Sequence, residues 1–212
     1  MKKQEYSIEH AKFIKKRRMN IALVWGLRIG LLAILLGFWE LSTACGWVDP
    51  FLMSSPSRIG ATIASLYRDG SLFYHIGVTL AETLVGFAIA VGLGVVIALA
   101  LWWSDTLCKV LEPYIVVLNA LPKIALGPLI IIWFGTGSKA IIFMTVLVGI
   151  IVSTMHMLSA FLATNKNKIL LLRSMGATKL QILQKLVIPS ARPSFISMLK
   201  VNVGMAWIGS IM

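Results

Sequence analysis

Charge is scarce in this 212-residue chain: 13% of its residues are Asp, Glu, Lys or Arg, against 58% hydrophobic. Soluble domains keep about a quarter of their residues charged, so a globule of this size would lack the polar material to cover itself. That excludes a soluble enzyme, and the apolar content excludes a disordered tail. Cysteine is almost missing. Cys45 and Cys108 stand on either side of an expected membrane crossing, so no disulfide joins them. His10, His75 and His156 are scattered without metal-ligand spacing, and no metal site is expected. The apolar runs hold no clustered His/Asp/Glu or Ser/Lys constellation, which argues against a membrane-embedded enzyme. No G-x-x-x-x-G-K-[ST] loop occurs, and Gly135-Thr136-Gly137-Ser138-Lys139 lacks the spacing to cradle a phosphate. No catalytic residue and no cofactor are expected.

What the chain does have is long apolar runs. A helix needs about 20 such residues to cross ~30 Å of hydrocarbon. Ile21–Leu41, Val78–Trp103, Val110–Phe134, Ala140–Phe161 and Ser194–Met212 each qualify. The first carries only Arg28 and Glu40, the last only Lys200, and the third is interrupted by Pro122, Gly127 and Pro128. Gly86, Gly92 and Gly94 in the second allow close helix contact. Trp47, Trp102, Trp103 and Trp133 fall near span ends, as an aromatic belt requires. The fold class is therefore all-α, a polytopic membrane helix bundle with five apparent spans. Between the first two, Ser55-Pro56-Ser57 followed by Ile59, Ile63 and Leu66 or Tyr67 predicts a short amphipathic helix on the membrane surface.

The formal charge of +12 could point to nucleic acid, but its distribution decides otherwise. Residues 1–20 carry Lys2, Lys3, Lys12, Lys15, Lys16, Arg17 and Arg18 against Glu5 and Glu9. The stretch 160–193 carries Lys166, Lys168, Arg173, Lys179, Lys185 and Arg192 with no acid. Basic clusters beside spans are the positive-inside signal and a contact for anionic lipid, so no nucleic-acid partner is expected. With 1–20 and 162–193 both cytoplasmic, residues 110–161 must cross twice and the fifth run heads outward. The C-terminus then reads as truncated, or as a five-span variant. The domains are 1–20, a basic cytoplasmic N-terminus, and 21–212, the membrane domain.

The loop 162–193 is the most informative stretch. Leu162 to Met175 reads as a helix continuing from the fourth span, and Gly176 stands where a terminating glycine takes positive φ. Thr178-Lys179-Leu180-Gln181 matches a capping box. Leu180, Leu183 and Leu186-Val187 give the new helix an apolar face, and Pro189 and Pro193 are expected to stop it. A helix this short needs a surface to pack on. That surface is either its own bundle, anionic lipid or a partner.

Gly176 followed by Leu186-Val187-Ile188-Pro189 resembles the G-x9-I-x-L-P half of the EAA loop of ATP-binding-cassette importer permeases. Leu118-Asn119-Ala120-Leu121-Pro122-Lys123-Ile124-Ala125-Leu126-Gly127-Pro128-Leu129, then Trp133-Phe134-Gly135-Thr136-Gly137-Ser138-Lys139, looks like the nitrate/sulfonate/taurine branch. Ser55-Pro56-Ser57, Thr79-Leu80 with Gly86-Phe87, and Ala206-Trp207-Ile208-Gly209 fit that branch too. The likeness runs from about residue 38 to the end. Leu170-Leu171-Leu172 takes the Glu-Ala-Ala positions, and a sixth span expected of the family lies beyond the sequence.

The resemblance implies a non-hydrolytic permease subunit of the bacterial cytoplasmic membrane, N-terminus inside. Its partners would be a cytoplasmic ATP-binding subunit, an extracytoplasmic solute-binding protein and a second permease copy. Arg173, Gly176, Ala177, Thr178, Leu180, Leu183, Leu186, Ile188 and Pro189 would form the ATPase-coupling segment. The branch points to small anions such as sulfonates or nitrate, although related permeases carry pyrimidine precursors. Asn119, Pro122, Lys123, Gly127 and Pro128 are the candidate translocation pathway. Lys at mid-span is assigned roughly +2.5 to +3.5 kcal/mol on insertion scales, and broken backbone at depth is tolerated beside protein or water. Two accounts stay open: residues 121–128 line the pathway, or the break marks an interface and Lys123 snorkels. Glu82, one turn inside its span, is expected to be interfacial. The alternative function is a secondary transporter or channel without an ATPase. Such carriers keep ionisable groups in mid-membrane, and no acid follows Glu112.

Overall fold

The computed structural model describes residues 8–49 and 53–211, so the start of the basic N-terminus, with Lys2 and Lys3, lies outside the described residues. Among these the structure is helical, with no strand. Four helices are long and apolar enough to cross a membrane: Phe13–Ala44, Leu72–Trp103, Ser138–Leu162 and Lys179–Ile211.

The chain divides into two compact units, residues 1–73 and 74–212. In the first, helix α1 (Ile8–Ala44) has no buried residue in its apolar window. Ser42 and Thr43 return their hydroxyls to carbonyls one turn back, which satisfies them without water. Helix α2 (Pro56–Arg68) is the expected amphipathic helix. Ser55 is its N-cap, with Pro56 in the first turn, where the missing N–H is harmless. Glu40 completes the start. Its carboxylate accepts from the Ser57 hydroxyl at 2.7 Å and the Ser57 amide at 3.0 Å, placing negative charge at a helix N-terminus. The Ser-Pro-Ser motif is thus a capped junction with the end of α1.

The second unit is built on α3 (Leu72–Trp103), α6 (Ser138–Leu162) and α9 (Ile188–Ile211). Small residues let them meet. A Cβ on Gly94 would stand 2.3 Å from Cβ of Ser153, and one on Gly86 2.6 Å from Cγ2 of Thr145. One on Gly209 would stand 2.6 Å from Cα of Thr145. The contacts Thr145–Gly209 and Ser153–Asn202 run in opposite chain directions, so α6 and α9 are antiparallel. At the centre Ser153 donates to Oδ1 of Asn202 at 3.1 Å, and Asn202 donates its Nδ2 to the Met198 carbonyl. Both side chains are fully buried and fully bonded, as interior polar groups must be. Gly92 plays no such part: a Cβ there meets nothing within 4 Å.

Three expectations change. The 110–134 run is not one helix. α4 (Asp105–Ala120) begins at the Ser104 N-cap and ends at Leu121, which Pro122 forces into an extended conformation. A 3-10 turn (Lys123–Leu126) follows, then the eight-residue α5 (Gly127–Phe134) with Pro128 in its first turn. The helix of the fourth span does not continue through the loop. It stops at Leu162, and α7 (Lys166–Ser174) restarts because the Asn165 side chain accepts from the amides of Asn167 and Lys168. Pro189 and Pro193 do not stop the next helix. α8 (Lys179–Ile182) passes through a π-helical turn at Leu183–Val187 into α9, and the Ile188 amide bonds the Leu183 carbonyl. The wider turn takes up the ring of Pro189, whose missing N–H would have broken the ordinary pattern. Glu82 is buried within the helix bundle. It shares the α6-facing stripe with Gly86, Ala90, Gly94 and Ala98, each four residues on.

Candidate functional site

The loop after α6 folds through local rules that can be checked bond by bond. α7 ends in a Schellman motif: the Gly176 amide reaches the Arg173 carbonyl and the Ala177 amide reaches that of Leu172, each at 2.9 Å. Gly176 takes φ +82°, as that geometry requires. The capping box is complete. Thr178 Oγ1 accepts from the Gln181 amide at 3.3 Å, and Gln181 Oε1 accepts from the Thr178 amide at 2.8 Å. Turn and cap together carry the chain from α7 into α8 with both helix ends bonded.

Packing then orients the segment. Ile182, Leu183, Val187 and Ala191 are buried against Leu101, Cys108, Leu158 and Phe161. Most of the apolar face predicted to need a surface has found one inside its own unit. Lys179 adds a polar tie: its Nζ donates to the carbonyl of Trp103, the last residue of α3. The ammonium also lies 5.5 and 5.6 Å from the ring centroids of Trp102 and Trp103. A cation on the last carbonyl of a helix is favoured by the helix dipole as well. What remains outward is an apolar tip: Leu170, Leu171, Leu180 and Met175, the last 74% exposed. Of the residues expected in the coupling segment, Arg173, Gly176, Thr178, Leu180 and Ile188 are exposed. Ala177, Leu186 and Pro189 are half-buried, and Leu183 belongs to the core. Met175 and the two leucines were not singled out in the sequence, because leucine at Glu-Ala-Ala positions reads as a departure and not as a surface.

The candidate pathway residues are not all brought together. Lys123 donates to the carbonyl and the side-chain oxygen of Asn119, at 3.1 and 3.4 Å, so its ammonium caps the end of α4. Asn119 in turn lines an open groove of about 790 Å³ between α6 and α9, with His156, Ser159, Ser194 and Ser197. Gly127 borders a different, smaller cavity of about 150 Å³ with Ile130, Thr136 and Met144. Pro122 and Pro128 shape the break without lining either. His156 escaped the sequence reading, which tested histidines only for metal spacing. Its signal was the helical face it shares with Ser159. No group of His, Cys, Asp and Glu able to hold a metal occurs among the described residues.

Residues 90–212 match the family of binding-protein-dependent transport system inner membrane components. The chain belongs to that family. It is 32% identical to the formylaminopyrimidine transport permease protein ThiX of Halalkalibacterium halodurans, over 84% of this chain and 70% of the relative. It is 26% identical to the taurine transport system permease protein TauC of Escherichia coli, over 85% of this chain and 68% of the relative. With the putative aliphatic sulfonates transport permease protein SsuC of Bacillus subtilis it shares 23% identity over 95% and 73%. The match begins inside α3 and takes in the broken segment, the loop and both partners of the α6–α9 groove. This permease is thus a multi-pass membrane component of an ATP-binding-cassette transport system, a class that works with an ATPase and a binding protein. Its relatives are those of the nitrate/sulfonate/taurine branch.

Proposed function

We propose that this permease forms the solute pathway of an ATP-driven importer and takes its energy from a separate cytoplasmic ATPase seated on the apolar tip of the 162–193 loop. One observation carries the reading. The Schellman turn, the capping box and the Lys179 tie hold Leu170, Leu171, Met175 and Leu180 outward on a braced, basic segment with no acid in it. Exposed apolar side chains grouped on a rigid support mark an interaction surface. The solute is a small anion such as a sulfonate or nitrate, or a related small solute, in keeping with the names its relatives bear. An extracytoplasmic binding protein delivers it, a second copy of this chain completes the pathway, and the N-terminus faces the cytoplasm of a bacterial cell. The subunit itself hydrolyses nothing.

The test is mass spectrometry of what co-purifies with the chain from native membranes in mild detergent. A near-stoichiometric Walker-type ATPase is expected, lost in Met175→Asp and Leu180→Asp while thermal stability is unchanged. These two side chains are exposed, so their replacement leaves the core alone. An ATPase that stays bound to both variants would remove the tip from the interface. A wild-type chain that brings no ATPase would remove the coupling reading altogether.

A further inference from the structure

Beside the π turn the second unit leaves a hollow. Val95 and Leu99 of α3, Met157 and Phe161 of α6, and Ile188 and Phe195 of α9 wall a cavity of about 240 Å³. Each helix contributes residues one or two turns apart on one face, so the hollow runs along the helix axes. All six side chains are apolar. Met157 and Phe161 are buried core residues, and Val95, Leu99 and Phe195 pack against the same core. Water has no polar partners to hold it in a space of this kind.

A single charged group belongs to the lining: Arg192, which lies between Ile188 and Phe195 on α9 and is exposed. Among the described residues it takes part in no hydrogen bond and no ion pair, unlike Lys179, which is tied to the Trp103 carbonyl. The chain has no Asp or Glu after Glu112, so neither α6 nor α9 carries an acid to neutralise it. The level of the hollow follows from the helix ends. Phe161 is one residue from Leu162, where α6 stops, and Val95 is eight residues from Trp103, where α3 stops, ~12 Å along the axis. Trp102 and Trp103 are side chains of the kind that settle at a membrane interface. The hydrocarbon of one leaflet is ~15 Å deep, half of the bilayer's ~30 Å. An apolar slot of nearly that depth with an unpaired cation in its lining matches both parts of a lipid, chain and phosphate.

We propose that this hollow holds one acyl chain of an anionic phospholipid from the leaflet on the loop side, with the lipid phosphate paired to Arg192. A chain seated there packs on Ile188, the residue that follows the π turn, so the lipid braces the joint between the loop and α9. The inference goes beyond the importer reading and does not rest on it; it needs only the place of this chain in a membrane.

The probe is phosphatidylglycerol with a diazirine in its acyl chain, compared with phosphatidylcholine labelled at the same carbon. Each is added in trace amount to phosphatidylcholine bilayers holding the full chain, and the sites of photolabelling are mapped by mass spectrometry. Label from phosphatidylglycerol is expected on Val95, Leu99, Met157 and Phe161 above that on Val96 and Ile132, which are exposed and outside the lining. At those four positions it should exceed label from phosphatidylcholine roughly fivefold, the usual effect of one basic side chain on an anionic lipid. Arg192→Gln, a change at an exposed position, should bring that ratio close to one. Lys166→Gln removes the same charge from the loop and should leave the ratio as it is. Even labelling of lining and outside positions would show ordinary boundary lipid, and lining residues that stay silent would show the hollow covered by protein; either overturns the proposal. A ratio untouched by Arg192→Gln overturns the pairing with phosphate. Loss of the label to excess glycerol phosphate would mark a site for free phosphate and overturn the role of the chain. None of these outcomes involves the ATPase, so the importer reading stands or falls separately on co-purification.

Discussion

Replacing Gly94 by Ala tests how closely α3 and α6 approach. The added Cβ would sit 2.3 Å from Cβ of Ser153 and 3.1 Å from both the Ile150 carbonyl oxygen and the Thr154 amide nitrogen. Non-bonded carbons rest at about 3.5–4.0 Å, so the helices must part by more than ~1 Å. Ser153 cannot turn its Cβ away, and the two backbone atoms leave no route around it. Forcing one methyl into a packed site costs about 1–3 kcal/mol. For a chain of 150–250 residues each kcal/mol moves Tm by roughly 2–4 °C, giving a fall of about 2–12 °C. The assay is thermal unfolding in mild detergent, read by a thiol-reactive fluorophore in a Cys45→Ser background. There the buried Cys108 reports opening of the core. Gly92→Ala is the internal control. Its Cβ meets nothing within 4 Å, and Ala is the better helix former, so Tm should hold or rise slightly. Equal losses at positions 92 and 94 would refute the close approach of α3 to α6.

Two further predictions concern the loop. Lys179→Met removes the bond to the Trp103 carbonyl and the contacts with both indoles; solute uptake per ATP hydrolysed by the assembled transporter should fall severalfold, with Lys179→Arg restoring most of it. Unchanged uptake in Lys179→Met would show that the tie is not needed for coupling. Gly176→Val places a β-branched residue at φ +82°, a strain of about 1–2 kcal/mol; insertion should survive while uptake is lost, and full uptake would remove the turn from the coupling path.

Local rules were the legible part of this chain. Thr178 and Gln181 three residues apart announced a capping box, Gly176 announced a left-handed turn, and Ser55-Pro56-Ser57 announced a helix start. All three read short-range chemistry that tertiary structure did not override. Legibility failed where long-range packing decides. Glycine composition could not separate Gly94 from Gly92, because the difference is which face of α3 meets α6. Nor did the sequence reveal that Glu82 belongs to the same stripe. Proline misled for a related reason: the sequence shows the missing N–H of Pro189, but not the π turn upstream that absorbs it. The α6–α9 groove went unseen because its polar residues come from three separate segments.

The uninterrupted helix changes what the loop can do. Had Pro189 and Pro193 ended the segment, the loop would have hung from α9 by a flexible joint. Instead Lys179–Ile211 runs as one helix, with Leu180 at the apolar tip and Ser197 in the groove. Seventeen residues separate the two, ~25 Å along the axis. Under the proposed function this helix is a lever, with one end against the ATPase and the other in the wall of the α6–α9 groove. Its weak point is the π turn, which is itself packed: Leu183 and Val187 are held in the core with Met157, Leu158 and Phe161. Under the proposed function a push on the tip is taken up by α6 and α9 together, because the π turn is packed against both.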